Sequence, residues 1–242
     1  MDSSIDIKIN KNTVFLHKFG IDFSLSDFLK QLRIDNDNSD GIDYFTDVVK
    51  IYNDGKKIAM PKAVYKVAYI EDRGDNWVVI EGIRFESRIL SLNLKDVHRV
   101  FPYIVTCGKE LNLWAKSFND AILAYWADVF CEMALREMFK DMNRDFGNRI
   151  NAGKTAIMNP GSLEDWPISE QKKLFDLMKE EALDIGVELS ESFLMIPVKS
   201  MSGMKFQTEF NYENCMLCPR EKWPGRRAKY DPEAFKKGVA VI

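Results

Sequence analysis

The stretch that decides the fold begins with NPGSLEDWP at residues 159–167, a run of turn-forming residues around one large aromatic side chain. A helical pattern follows, whose apolar face is formed by Ile168, Leu174, Phe175 and Met178. Ser169 or Asp165 is expected to cap this helix, because either side-chain oxygen can accept a backbone N–H of the first turn. The chain continues with GVELSESFLMIP at residues 186–197, predicted to be an apolar strand. It ends with KSMSGMKF at residues 199–206, where small residues predict a tight turn.

Four pieces of this stretch occur in an order typical of one family. They are Pro160-Gly161 before a helix, Leu189-Ser190-Glu191-Ser192 entering an apolar run, Met195-x-Pro197, and Ser200-x-Ser202-Gly203 followed by Phe206. Together they resemble the C-terminal activation domain of vitamin B12-dependent methionine synthase, and most closely its stand-alone versions. The resemblance is closest after residue 100. It implies a twisted antiparallel sheet surrounded by helices.

The resemblance also implies a cofactor and a site. In that family the domain binds S-adenosylmethionine and sits over the cobalamin, so that the oxidised cofactor can be reduced and remethylated. Here a partner protein would carry the cobalamin. The implied cofactor-facing residues are Asn159, Pro160, Gly161, Ser162, Glu191, Lys199, Ser200, Ser202 and Gly203. Lys199 is expected to be a surface charge that faces the ligand.

The family's S-adenosylmethionine signature, Arg-x-x-Pro-Gly-Tyr, is only partly present. Ile157 stands at the arginine position and Ser162 at the tyrosine position. Arginine is the natural bidentate partner of a carboxylate, and an aliphatic side chain cannot replace it. We therefore expect S-adenosylmethionine to bind weakly or not at all.

Composition limits the classes of partner. The chain has 242 residues with 46% hydrophobic and 29% charged side chains, an ordinary globular balance, and its net charge of -3 argues against nucleic acid as a partner. No apolar run approaches the roughly 18 residues of a membrane span, so no membrane partner is expected. Four cysteines without disulfide-framework spacing predict a cytoplasmic protein.

The order of the predicted elements favours an α+β fold over a doubly wound sheet, because strands precede one long helix without regular alternation. We predict one activation-domain-like domain over residues 1–242, with an N-terminal elaboration at 1–60 and a Cys/Arg-containing extension at 207–242. The predicted elements are a strand at 5–9, helices at 24–32 and 42–52, a hairpin with strands at 64–70 and 77–80, a short helix at 87–94, a strand at 100–107 and a long helix at 110–142. The length of this last helix favours a kink or break within it. A polar loop is predicted at 35–41.

The cysteines offer a weak signal for a metal. Cys215 and Cys218 form a CxxC pair, whereas zinc or an iron–sulfur cluster normally needs four ligands. Stand-alone relatives often have a third cysteine where this chain has Trp223. Cys107 is a candidate additional ligand, but a structural pair is the favoured reading, and we expect neither zinc nor an iron–sulfur cluster. Cys107 itself is either an ordinary buried cysteine or a thiol whose pKa is lowered by a following helix.

Three functions remain open from the sequence. The first is an accessory protein of cobalamin-dependent methyl transfer, which docks on a corrinoid-binding protein or methyltransferase and supports reductive reactivation or methylation of its cobalt, with an electron donor as a further partner. The second is a non-catalytic scaffold or chaperone for a corrinoid protein that has lost S-adenosylmethionine binding. The third is a small redox protein that uses Cys215 and Cys218.

Overall fold

The computed structural model describes residues 3–34, 44–209, 216 and 228–231, so the predicted polar loop at 35–41 lies outside the described residues. Eleven strands are present in these ranges: β1 (Ser4–Asn10), β2 (Thr13–Phe19), β3 (Lys62–Lys66), β4 (Ala68–Arg73), β5 (Trp77–Ile80), β6 (Ile83–Glu86), β7 (Arg99–Thr106), β8 (Thr155–Met158), β9 (Glu188–Leu189), β10 (Met195–Ile196) and β11 (Ser200–Gln207). The helices are α1 (Leu25–Leu32), α2 (Tyr44–Ile58), α3 (Arg88–Asn93), α4 (Lys109–Lys116), α5 (Ala121–Arg149), α6 (Gln171–Leu177) and α7 (Lys179–Ile185), with a 3-10 turn at Ile168–Glu170.

A nine-stranded antiparallel sheet is built around β7. On one side β7 pairs with β3 and, further along, with β4; on the other side it pairs with β11, which pairs in turn with β8. β3 continues outward to β2 and β1, and β4 continues to β5 and β6. β9 and β10 form a separate small hairpin. The predicted α+β class, a twisted antiparallel sheet with surrounding helices, is confirmed.

Helices cover both faces of the sheet. α1, α2, α4 and α5 enclose one apolar cluster that includes Phe28, Phe130 and Tyr103. α6 and α7 cover the opposite face, where Ile104 and Met178 are buried. No helix in the described ranges is long and apolar enough to cross a membrane.

The predicted long helix is two helices. The Asp120 carboxylate accepts hydrogen bonds from the Ile122 and Leu123 amides, which caps α5 and separates it from α4. α5 also runs on to Arg149, well beyond the predicted end. Ile122 and Tyr125 are exposed. The buried side chains of α5 include Trp126, Ala127, Phe130, Ala134, Leu135, Met138 and Met142.

Two other helix predictions need correction. α2 continues through Gly55 to Ile58 instead of ending at Tyr52, because the missing Cβ at Gly55 leaves room for the Phe130 ring. Asp165 does not cap the helix that follows it. Its carboxylate accepts the Ile89 amide and the Ser87 hydroxyl at the start of α3.

Candidate functional site

The predicted turn at Ser200–Gly203 is the first half of β11, in the middle of the sheet. A Cβ at Gly203 would lie 2.5 Å from Asn159 Nδ2, 2.6 Å from the Met158 carbonyl oxygen and 2.9 Å from the Tyr103 hydroxyl. Glycine is therefore required by close packing between strands. β7 pairs with this segment along its whole length, and Ser202 and Gly203 are buried, so the segment does not offer the open surface that a turn would present to a ligand.

Asn159 joins the end of β8 to the two strands beside it. Its Nδ2 donates to the Tyr103 hydroxyl at 2.8 Å and to the Ser202 carbonyl at 2.7 Å. The tight turn that follows is closed by the Gly161 amide, which donates to the Trp166 carbonyl at 2.8 Å, and Gly161 has a φ of 82°. Gly161 and Ser162 are exposed, whereas Pro160 is buried.

Gln171, which sequence reasoning missed, connects β11 to the small hairpin. Its Oε1 accepts from the buried Ser202 hydroxyl at 3.2 Å, and its Nε2 donates to the Phe193 carbonyl at 2.9 Å. Both ends of one buried amide are thus used, so the hairpin is held against the sheet. Ser200 is also engaged, because its hydroxyl bonds the Thr106 hydroxyl at 2.9 Å and the Pro197 carbonyl at 2.7 Å.

Lys199 is paired with acidic residues of α5. Its ammonium lies 2.8 Å from an Asp128 carboxylate oxygen and 3.8 Å from one of Glu132. Burial would lower the pKa of Lys199, but the hydrogen bond and charge of Asp128 outweigh it and raise that pKa. The lysine therefore ties the loop before β11 to α5, and its charge is already compensated.

A cavity of about 210 Å³ opens beside Lys199. Its walls include Cys107, Cys131, Asn112 and Val198. A hydrogen bond with Cys131, together with burial, raises the pKa of the Cys107 thiol far above its ordinary value, so the reading of Cys107 as a lowered-pKa thiol is wrong. Cys215 and Cys218 lie outside the described residues.

Exposed apolar side chains occur at alternate positions along the small hairpin and the loop after it. Leu194 is 60% exposed, Ile196 46% and Val198 64%, and we call these three residues the hairpin surface. Ser190 shapes the turn, because its hydroxyl accepts the Leu194 amide at 3.1 Å. Glu191 is exposed in that turn. Of the predicted site, Glu191 and the Gly161–Ser162 turn are open to solvent, whereas Ser202 and Gly203 are buried.

Lys205 is a second residue that sequence reasoning missed. It is 8% exposed and lies directly opposite Ile157 in the register of β8 and β11. Its ammonium donates to Asn143 Oδ1 at 2.5 Å and lies 4.4 Å from the centre of the Phe146 ring. No carboxylate of the described chain forms an ion pair with it. Burial lowers the pKa of Lys205 from 10.5 to about 8.

Replacing Lys205 with methionine is expected to stabilise the protein at pH 7. The lowered pKa corresponds to roughly 3 kcal/mol of unfavourable burial of the charge, and the lost contacts to Asn143 and Phe146 reduce the net gain to about 1–2 kcal/mol. Between pH 8 and 10.5 the unfolded state binds more protons at this lysine, so wild-type stability rises with pH in that window. The advantage of Lys205→Met should therefore shrink across it. Urea unfolding of both proteins at pH 7 and pH 10 measures this, and an equal advantage at both pH values would contradict it.

The fold is an α+β architecture built on one large antiparallel sheet. A comparison with solved structures finds similarity to the crystal structure of the MetH reactivation domain bound to AdoHcy, with a TM-score of 0.53 and 14% sequence identity over 82% of this chain and 80% of that one. At this identity the similarity shows the fold alone. No protein-family model matches the sequence, and no curated protein matches it.

Proposed function

We propose that this chain is an accessory protein of cobalamin-dependent methyl transfer, which docks through the hairpin surface on a separate protein that carries the corrinoid. The partner's cobalt supplies the chemistry, and this chain positions the partner and excludes water. The proposal combines the fold similarity to the MetH reactivation domain with one observation, the exposed apolar group formed by Leu194, Ile196 and Val198.

The hairpin surface has the properties of a contact site. Exposed apolar side chains beside polar ones are typical of protein–protein interfaces. The backbone beneath them is held in place, because Gln171 bonds the hairpin and Pro197 is buried directly before Val198. A surface that is already ordered loses little conformational entropy when a partner binds.

The polar residues of the predicted site favour the scaffold form of this role. Ser200, Ser202 and Lys199 are already engaged by Thr106, Gln171 and Asp128, respectively. Ile157 offers no charge for a carboxylate and packs against the apolar cluster under α5. These contacts support docking that does not depend on S-adenosylmethionine. Weak or absent binding of that cofactor stays a prediction.

Leu194→Ser is expected to weaken docking at least about tenfold, because burying a leucine side chain contributes about 1.5–3 kcal/mol. The assay is biolayer interferometry against a purified, cobalamin-loaded corrinoid protein encoded in the same genome, with and without S-adenosylmethionine. Leu183→Ser on α7 is the matched control, because Leu183 is 61% exposed and Leu194 60%.

Two results would count against the proposal. In the first, the wild type docks and both Leu194→Ser and Leu183→Ser dock equally well, which would place the interface away from the hairpin. The other is docking only when S-adenosylmethionine is present, which would restore a cofactor role and make Lys205, opposite Ile157, the first residue to test.

A further inference from the structure

β1 is an edge strand of the nine-stranded sheet. It pairs with β2 along its whole length, from Ser4 opposite Phe19 to Asn10 opposite Thr13, and no other strand in the described ranges pairs with it. Every residue of β1 except Ile5 is exposed. A long, exposed edge strand is a template for pairing with another strand.

The hydrogen-bonding groups of β1 that face outward can be assigned from β2. The Lys18 and Gly20 amides donate to the Pro61 and Ala59 carbonyls, on the side of β2 that faces β3. Because successive backbone groups alternate in direction, residues 13, 15, 17 and 19 of β2 face β1, and their partners in β1 are residues 10, 8, 6 and 4. The backbone groups of Ile5, Ile7 and Ile9 therefore point to the open edge.

The side chains of β1 divide into an apolar and a charged face. Ile5, Ile7 and Ile9 share one face, and Ile7 is 38% and Ile9 55% exposed. Asp6 and Lys8 lie on the other face.

Only one antiparallel self-pairing of β1 satisfies backbone, apolar and charged groups together. Centred on Ile7, it places Ile7 opposite its own copy, Ile5 opposite Ile9, and Asp6 opposite Lys8 at two symmetric positions. A shift by two residues sets Asp6 against Asp6 or Lys8 against Lys8. A shift by one residue sets isoleucines opposite charged side chains. It also sets backbone groups that point to the open edge of one copy opposite residues whose backbone groups already bond β2 in the other.

We propose that β1 binds β1 of a second copy of this chain, with the two-fold axis at Ile7, so that two sheets join into one. The interface is isologous, as two-fold symmetry requires. Asp6 and Lys8, which would oppose pairing with an arbitrary strand, select this register because each meets the opposite charge.

Charge reversal tests the register directly. Asp6→Lys alone sets two lysines against each other at both symmetric positions, and Lys8→Asp alone sets two aspartates against each other there, so each variant should self-associate at least about tenfold more weakly than wild type. Mixed in equal amounts, the two variants present only opposite charges to each other. We expect light scattering after size-exclusion chromatography of the full chain to give twice the 28.0 kDa chain mass for wild type and for the mixture, and 28.0 kDa for each variant alone.

Asp176→Lys, an exposed charge reversal on α6, is the control and should leave the wild-type mass unchanged. The recovered mass of the mixture also shows that each variant is folded. A monomeric wild type, single variants that associate as wild type does, or a mixture that stays monomeric would each overturn the proposal. This test does not involve a corrinoid protein, so its outcome is independent of the proposed function.

Discussion

Lys18→Met is expected to destabilise the protein by about 3 kcal/mol or more, because it removes the buried cation that three carboxylates share, and two of these, Glu137 and Asp141, are themselves largely buried. The Lys18 ammonium is fully buried and lies 2.7 Å from Asp22, 2.8 Å from Glu137 and 2.6 Å from Asp141. Burial would lower the pKa of Lys18, but hydrogen bonds to Asp141, Asp22 and Glu137 outweigh it and raise that pKa. Methionine has nearly the same side-chain volume as lysine, so the loss of stability measures the electrostatic contribution of Lys18.

Urea unfolding at pH 7 measures the effect, with Lys57→Met as the control. Lys57 is 75% exposed and lies 3.8 Å from Asp54, an arrangement that contributes less than about 0.5 kcal/mol. A loss of less than about 1 kcal/mol for Lys18→Met would mean that water reaches the three carboxylates and replaces the lysine.

Gly203→Ala is expected to cost about 2–3 kcal/mol, because the new methyl group would lie within 3.0 Å of atoms on both neighbouring strands. The Met158 carbonyl is part of the backbone, and the side-chain amide of Asn159 is hydrogen-bonded to the Ser202 carbonyl. Neither group can move aside without loss of hydrogen bonds. Thermal unfolding followed by circular dichroism measures the change.

Gly147→Ala makes the same chemical change as Gly203→Ala but is expected to increase the stability of the protein. Gly147 lies in α5, and nothing is within 4 Å of a Cβ placed there. Alanine has the higher helix propensity, so this variant should gain up to about 0.5–1 kcal/mol. Equal effects of the two substitutions would show that close packing at Gly203 is not what requires glycine.

Elements with local signals were predicted correctly from the sequence. α1 begins after Ser24, whose hydroxyl accepts the Asp27 amide, and α3 begins after Ser87, whose hydroxyl accepts the Leu90 amide. β7 shows the apolar run that its burial demands, and the alternation of β1 correctly indicated a strand, although its isoleucine face is largely exposed and not buried as that alternation suggests. For the two helices the decisive contacts lie within three residues of one another.

The failures involve partners that are distant in the chain. Gly55 is a helix residue because of Phe130, and Gly203 is a strand residue because of Asn159 and Tyr103. Sequence pattern alone gives glycine its usual meaning as a turn former or terminator in both places. Asp120 is different, since its capping role has a local signal that the apolar pattern on either side obscured.

The sequence indicated which segment of the chain holds the candidate site, but not which side chains contact one another there. The 159–206 stretch does hold the end of β8, the hairpin and β11 together, and its role in cofactor contact stays a prediction. Gln171 and Lys205 escaped notice because their partners, Phe193 and Ser202 for one and Asn143 for the other, become neighbours only after the sheet has formed.

The central position of β7 determines when the fold can be completed during synthesis. Thr106 at the end of β7 bonds Ser200 at the start of β11, 94 residues later in the chain. A nascent chain that has already formed β1–β7 therefore carries its middle strand with one open edge while α4, α5, α6 and α7 are still being made. Strand pairing over such a separation in the chain is slow compared with helix formation. The helices accordingly form before the sheet closes, and the last strand of the sheet to be synthesised is the one that pairs with its centre.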